Sequence, residues 1–139
     1  MKPKVRDAAL SLSLACPVGA TTVVTPAGLA IGPVTSLGDY APSKEGEFIV
    51  EIPALTATQL PNATTITVDV IEAANAALTG VVVVHKALLV VTGAGGVGCA
   101  AASARFRPAT DQMRYVGFQL TGVATVAASG SSAAMTYVS

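Results

Sequence analysis

The chain has 139 residues, of which 52% are hydrophobic, 12% charged and 4% aromatic, and its formal net charge is zero. Soluble domains usually carry about 25% charged residues, so this surplus of small apolar residues predicts that part of the surface lies against other subunits. The balanced charge argues against a dedicated nucleic-acid binder, because phosphate neutralisation needs clustered Lys and Arg.

Two short strands are predicted near the start of the chain. Leu and Ser alternate between residues 10 and 14, which is the period of a half-buried strand, and residues 21–25 are all β-branched. Residues 29–44 contain several Gly and Pro residues. We expect a long loop in this segment, with at most one short strand.

The next predicted strand covers residues 48–52 and places its apolar side chains at positions 48, 50 and 52 on one face. Glu47 and Glu51 share the opposite face, and Pro53 ends the strand or marks it as a sheet edge. Paired carboxylates can serve a glycosidase or bind calcium, but alternation with apolar residues favours a solvated strand face.

The middle of the chain predicts further strands and one short helix. Residues 65–70 alternate between β-branched apolar and polar side chains, while residues 71–78 are the best helical candidate because of their alanine content. Residues 81–84 and 88–91 predict two buried strands. The apolar run 81–91 is well short of the roughly 20 residues that cross a bilayer, so we expect no membrane segment.

A G-x-G-x-x-G spacing follows these strands at Gly93, Gly95 and Gly98. In a dinucleotide site this motif closes a strand and opens a helix whose amides hold the pyrophosphate. Here Pro108 leaves room only for a helix too short for a crossover connection. We therefore predict a wide exposed turn between residues 88–91 and a following strand in an antiparallel sheet, with a dinucleotide-binding enzyme using Gly93–Gly98 as the remote alternative.

The last third of the chain again predicts strands, at residues 104–107, 114–120, 122–128 and 133–138. Many short strands with little helix indicate an all-β fold. We predict one domain over residues 1–139, a single antiparallel β-sandwich with long Gly- and Pro-containing loops and at most one short helix.

Residues that could carry chemistry are few. His85 is the only histidine, and its place in an apolar run beside Lys86 suits a strand residue better than a general base. Cys16 and Cys99 have no neighbouring Cys or His at metal-ligand spacing, so we expect buried free thiols. We predict no catalytic residue, no cofactor and no metal, and hence a protein that is not an enzyme.

Three stretches resemble the small capsid cement, or decoration, proteins of tailed bacteriophages. They are the opening strand DAALSL (7–12), the segment TTITVDVIEAANAAL (64–78) and the closing MRYVGFQLTGVATVAASGSSAAMTYV (113–138). In the last stretch an Arg-Tyr-Val-Gly strand start leads into a Gly- and Ala-rich hairpin and a final strand, as such proteins often show. The glycine-rich loop 92–99 has no counterpart in this resemblance.

The resemblance implies a jelly-roll sandwich that binds the outer surface of the phage head as a trimer and stabilises contacts between major capsid subunits. It implies a virion protein made in the host cytoplasm, whose partners are the major capsid protein and itself, with no nucleic acid and no membrane. A carbohydrate- or host-binding β-sandwich of a phage tail or surface is the alternative, although few aromatic rings are available for sugar stacking. Candidate capsid or inter-subunit contacts are Lys2, Lys4, Arg6, Ala94, Val97, Arg105, Arg107 and Arg114.

Overall fold

A computed structural model describes residues 6–30, 47–107 and 115–138, without the side chains of residues 6–10 and 30. These residues form nine β-strands and no helix. The strands are β1 (Arg6–Ala15), β2 (Thr22–Val24), β3 (Leu29–Ala30), β4 (Glu47–Ile52), β5 (Thr65–Ala73), β6 (Val82–Thr92), β7 (Ala102–Phe106), β8 (Tyr115–Gly122) and β9 (Ser132–Val138).

The strands pair as one long antiparallel ribbon that is rolled up. β1 pairs with β9, β2 and β3 with β8, β4 with β7, and β5 with β6. Rolling adds the pairs β4 with β9 and β5 with β8. The resulting sheets have the orders β1-β9-β4-β7 and β2-β8-β5-β6, with β3 also beside β8. This is jelly-roll connectivity, and the predicted all-β antiparallel sandwich is confirmed.

The core lies between the two sheets and follows the period of two in the sequence. Phe48, Val50 and Ile52 of β4 are buried, as the alternation predicted, and they share a core cluster with buried residues of β5, β8 and β9. The ring of Phe48 stacks on Phe106 and meets the edge of Tyr137, with ring centroids 5.3 Å apart in both pairs. Each such buried side chain contributes about 1.5–3 kcal/mol.

The helix predicted at residues 71–78 does not form, and this prediction was wrong. Ile71–Ala73 complete β5, and the chain then turns back. Leu78 packs against Ile71 and Ala73 on the outer face of the same sheet. Gly117 of β8 makes room for this cover, because a Cβ there would lie 2.6 Å from Leu78 Cδ1. β5 pairs on both sides, with β6 and β8, and these ladders outweigh the helix propensity of the alanines.

The two buried strands predicted at residues 81–84 and 88–91 are one strand, β6, and most of it is exposed. β6 is the edge strand of its sheet. A run of valines has the same pattern in an edge strand as in a buried central strand, so the sequence could not predict this exposure. A bulge at Ala87 divides it, with Ala87 in the left-handed region at φ 52°. The buried carboxylate of Asp69 holds this bulge, because it accepts hydrogen bonds from Ala87 N at 2.7 Å and Gln119 Nε2 at 3.0 Å.

The strand predicted at residues 122–128 is also wrong, since β8 ends at Gly122 and a loop follows. At Gly122 a Cβ would lie 2.7 Å from Gly19 O, so the loop after β1 passes against this point. The loop then folds back with a hydrogen bond from Val126 N to Val123 O. It carries Thr125 in the left-handed region at φ 74°, which is a strained conformation for a β-branched residue.

Replacing Thr125 with Gly is expected to raise the free energy of unfolding by about 1 kcal/mol. The left-handed conformation costs a residue with a Cβ roughly 1–2 kcal/mol, and glycine avoids this cost in the folded state. The greater conformational freedom of glycine in the unfolded chain lowers stability, but by less than this. Ala124→Gly is the control, because Ala124 is exposed in the same loop without a positive φ and should lose about 0.5–1 kcal/mol. Urea unfolding of both variants decides; a Thr125→Gly protein less stable than the parent contradicts the strain.

Candidate protein-interaction surface

Four loops meet at one end of the sandwich, and none contains Asp, Glu, Lys, Arg or His. They follow β1, β4, β6 and β8 in the chain. We call this surface the neutral end; it consists of residues 16–21, 53–64, 93–101 and 123–131. The chain has sixteen charged residues, eight of each sign, and all of them lie in other segments of the sequence.

Backbone hydrogen bonds join these loops to one another. Gly19 N donates to Val126 O at 2.7 Å, and Ala127 N donates to Gln59 O at 2.9 Å. Leu55 and Cys99 exchange a pair of backbone hydrogen bonds of 3.1 and 3.0 Å. Each loop is therefore held by at least one other, which makes the neutral end a preformed surface rather than a set of separate loops.

The glycine-rich segment forms the exposed turn that was predicted, between β6 and β7. Ala94 N donates to Gly98 O at 3.1 Å, and Gly96 N donates to Asn62 Oδ1 at 2.9 Å. The chain then enters strand β7 and not a helix. The strand-to-helix turn that a dinucleotide site requires is absent from these residues. The G-x-G-x-x-G spacing therefore needs another explanation, which the backbone geometry at the glycines provides.

That cause is close backbone approach together with positive φ. A Cβ on Gly93 would collide with Pro61 O, and a Cβ on Gly98 would collide with Leu55 O. Gly98 also has a φ of +75°. Gly96 has a φ of +70° but open space around it, so only its conformation favours glycine.

Apolar side chains project from the neutral end. Val97 is 75% exposed, and Val18 and Val123 are also exposed. Ala94 lies in the same turn as Val97 and is exposed too, so these two predicted contacts are brought together. Sequence reasoning missed Val18 and Val123, although the shared signal was present: four turn-rich segments that all lack charge.

The predicted basic contacts lie apart from this surface. Arg105 Nη1 forms a 2.7 Å ion pair with Glu47 Oε1 across β7 and β4. The sequence predicted that Glu47 lies on a solvated strand face, whereas the structure pairs its carboxylate with an arginine. Arg107 is exposed beyond the far end of β7. Arg6 begins β1, but its side chain is outside the described residues, and Lys2, Lys4 and Arg114 lie wholly outside them.

Residues with reactive side chains are scattered among the described elements. The His85 ring packs near the Phe106 ring, with centroids 5.2 Å apart. Within residues 6–30, 47–107 and 115–138, no three His, Cys, Asp or Glu residues lie close enough to hold a metal ion together. In the same ranges there is no helix of the length and apolarity that crossing a membrane requires.

The two cysteines are free thiols, as predicted. Cys16 is fully buried and Cys99 is half-buried against the same core. Burial raises the pKa of the Cys16 thiol above its usual value. A hydrogen bond with the backbone of Ala133 opposes this change, and the proximity of Cys99 adds to it. Cys16 is therefore a poor nucleophile in the folded protein.

A scan against protein-family models, a search of the curated proteins and a search of the solved structures found no match to this chain.

Two glycine variants separate the causes of the motif. Gly96→Ala is expected to lose about 1 kcal/mol of unfolding free energy, because it adds only the cost of a positive φ. Gly98→Ala adds a collision with the Leu55 carbonyl and is expected to lose at least about 3 kcal/mol. Urea unfolding measures both, and equal losses would refute the close approach at Gly98.

Thiol labelling tests the burial of Cys16. With iodoacetamide at pH 8, Cys99 is expected to react in the folded protein while Cys16 stays largely unmodified. Because burial raises the pKa of Cys16, its labelling rate should keep rising with pH beyond the point at which the rate of an exposed thiol levels off. Peptide mass spectrometry reads both sites. Equal labelling of the two cysteines at pH 8 is the contrary result.

Proposed function

We propose that this chain is a structural virion protein, a capsid cement (decoration) protein that binds the outside of a phage head as a trimer and stabilises contacts between major capsid subunits. The observation that carries the proposal is the neutral end, whose loops are joined by backbone hydrogen bonds, contain no charged residue and expose Val18, Val97 and Val123. A jelly-roll fold alone does not specify this function, because the same fold serves capsids, lectins and cupins.

The neutral end suits attachment to a protein shell. Burying a charged group without a partner costs several kcal/mol, and this surface contains none to bury. Loops that are already cross-linked by hydrogen bonds lose little further freedom on binding. Small side chains such as Ala94 allow close approach of the two backbones, while Val18 and Val97 supply apolar area.

Attachment as a trimer would strengthen binding even if each copy binds the shell weakly. Three linked copies convert the second and third binding events into intramolecular ones, so avidity exceeds the affinity of one copy by orders of magnitude. The basic residues remain part of the proposal as contacts with acidic shell surface, and Arg105 and Arg107 are the candidates whose described side chains are exposed. Arg105 contributes less, because Glu47 already pairs with it.

The carbohydrate-binding alternative gains no specific support. Phe48, Phe106, Phe118 and Tyr137 are buried, and Tyr115 is half-buried against Leu78. Among the described residues, therefore, no flat exposed ring is available for stacking on a sugar.

Binding to phage heads tests the proposal. Purified chain is mixed with heads of the phage that encodes it, prepared without the chain, and bound protein is measured by cosedimentation. Val97→Asp and Val18→Asp are each expected to weaken binding at least about tenfold, because each would bury an unpaired carboxylate.

Val24→Asp is the matched control, since Val24 is also exposed but lies in β2, outside the neutral end. It should bind as the parent does. Failure of the parent chain to sediment with heads rejects the proposed function. Undiminished binding by both neutral-end variants rejects this surface as the contact.

A further inference from the structure

A pocket of about 440 Å³ opens on the outer face of the sheet β1-β9-β4-β7. This volume lies in the range of sites that bind small ligands, so one side chain of a partner protein fits inside it. We call it the Glu51 pocket. The side chains that line it on this face belong to Glu51, Pro53, Ala101, Ser103, Ser132 and Ala134.

The strand register explains why a pocket forms at this place. Glu51 of β4 lies opposite Ser103 of β7 and opposite Ala134 of β9, so these residues form one row across the sheet. Pro53 and Ser132 lie two residues further along their strands and therefore point to the same face. Glu51 is the long side chain of the group, and its small neighbours leave the space beside its carboxylate open.

The polar groups of the Glu51 pocket are hydrogen-bond acceptors with a negative charge. Glu51 is the one charged residue that lines it, and Ser103 and Ser132 add hydroxyl groups. The guanidinium of Arg105 lies at 2.7 Å from the carboxylate of Glu47 and does not line the pocket. An ionised carboxylate has about four acceptor sites, so a contact of Glu51 within the chain leaves sites for a ligand.

A guanidinium group fits these acceptors better than other common groups. It is planar, always charged and less strongly hydrated than an ammonium group, and it donates two parallel hydrogen bonds to one carboxylate. The methylene groups that carry it pack on small apolar side chains such as Ala134. An anion would be repelled by Glu51, and no aromatic ring lines the pocket for stacking on a sugar.

We propose that the Glu51 pocket binds the arginine side chain of a protein on which the neutral end docks. Pro53 and Ala101 belong both to the pocket and to the neutral end, so a protein seated on that surface reaches the rim of the pocket. The source of the arginine therefore rests on the proposed function. The preference of the pocket for a guanidinium group does not, because it follows from the lining residues alone.

An amide NMR titration of the parent chain with N-acetyl-arginine methylamide tests the site. Saturable shifts are expected at the amides of Ser103 and Ala134, with a dissociation constant in the millimolar range. N-acetyl-citrulline methylamide has nearly the same shape without the charge, and it should bind at least about tenfold more weakly.

Two variants test the lining residues with the same arginine probe. Glu51→Gln removes the charge, and Ala134→Leu fills the space without changing the charge. Each is expected to weaken binding at least about tenfold. Ala77→Leu is the matched control, because Ala77 is exposed in the turn after β5 and is not part of the pocket. It should bind the probe as the parent does.

The absence of saturable shifts overturns the site, and so does equal affinity for the citrulline probe, a comparison that needs only the parent chain. Undiminished binding by both pocket variants also overturns it. Cosedimentation with phage heads tests the source of the arginine, since Glu51→Gln should bind heads more weakly than the parent. Heads that bind both chains equally overturn that source. A parent chain that binds heads but not the arginine probe removes this inference and leaves the proposed function standing.

Discussion

Two strand pairings, β4 with β9 and β5 with β8, determine how the described strands assemble into a sandwich. The other strand pairs form a ribbon, and a ribbon alone leaves its apolar face in water. These two pairings roll the ribbon so that the buried faces of β4 and β9 meet those of β5 and β8. The same rolling brings four connecting loops to one end, so the neutral end is a consequence of the topology and not of any single loop.

The surface divides into regions of different chemistry. Among the described side chains, charges lie on the strand faces, where Glu47 pairs with Arg105, and at the sandwich edge, where Lys86 follows the exposed valines at residues 81–84. The neutral end and this run of valines have none, and water leaves such surfaces at little cost. The two segments without charged residues lie near opposite ends of β6. This arrangement suits a protein that is surrounded by others on several sides.

The sequence could predict local patterns but not what depended on distant partners. Alternation located the buried faces of β4 and β5 and the final strand, because a period of two is a local property. The valines of β6 were misjudged, since only the sheet order shows that this strand has one neighbour. Residues 71–78 were misjudged because pairing with two strands outweighs alanine content. The absence of charge from each of the four loops could be recognised in the sequence, but not that the loops form one surface. The need for glycine at positions 93 and 98 follows only from the structure, which places the Pro61 and Leu55 carbonyls beside them.

Electron cryomicroscopy of phage heads carrying the bound chain would show directly whether it attaches to the shell through the neutral end. We expect density for this jelly roll on the outside of the shell, in groups of three, with the loops at residues 16–21 and 93–101 against the major capsid protein. Heads without such density would contradict the proposed function. Density with the neutral end facing solvent would contradict the assignment of that surface to the shell.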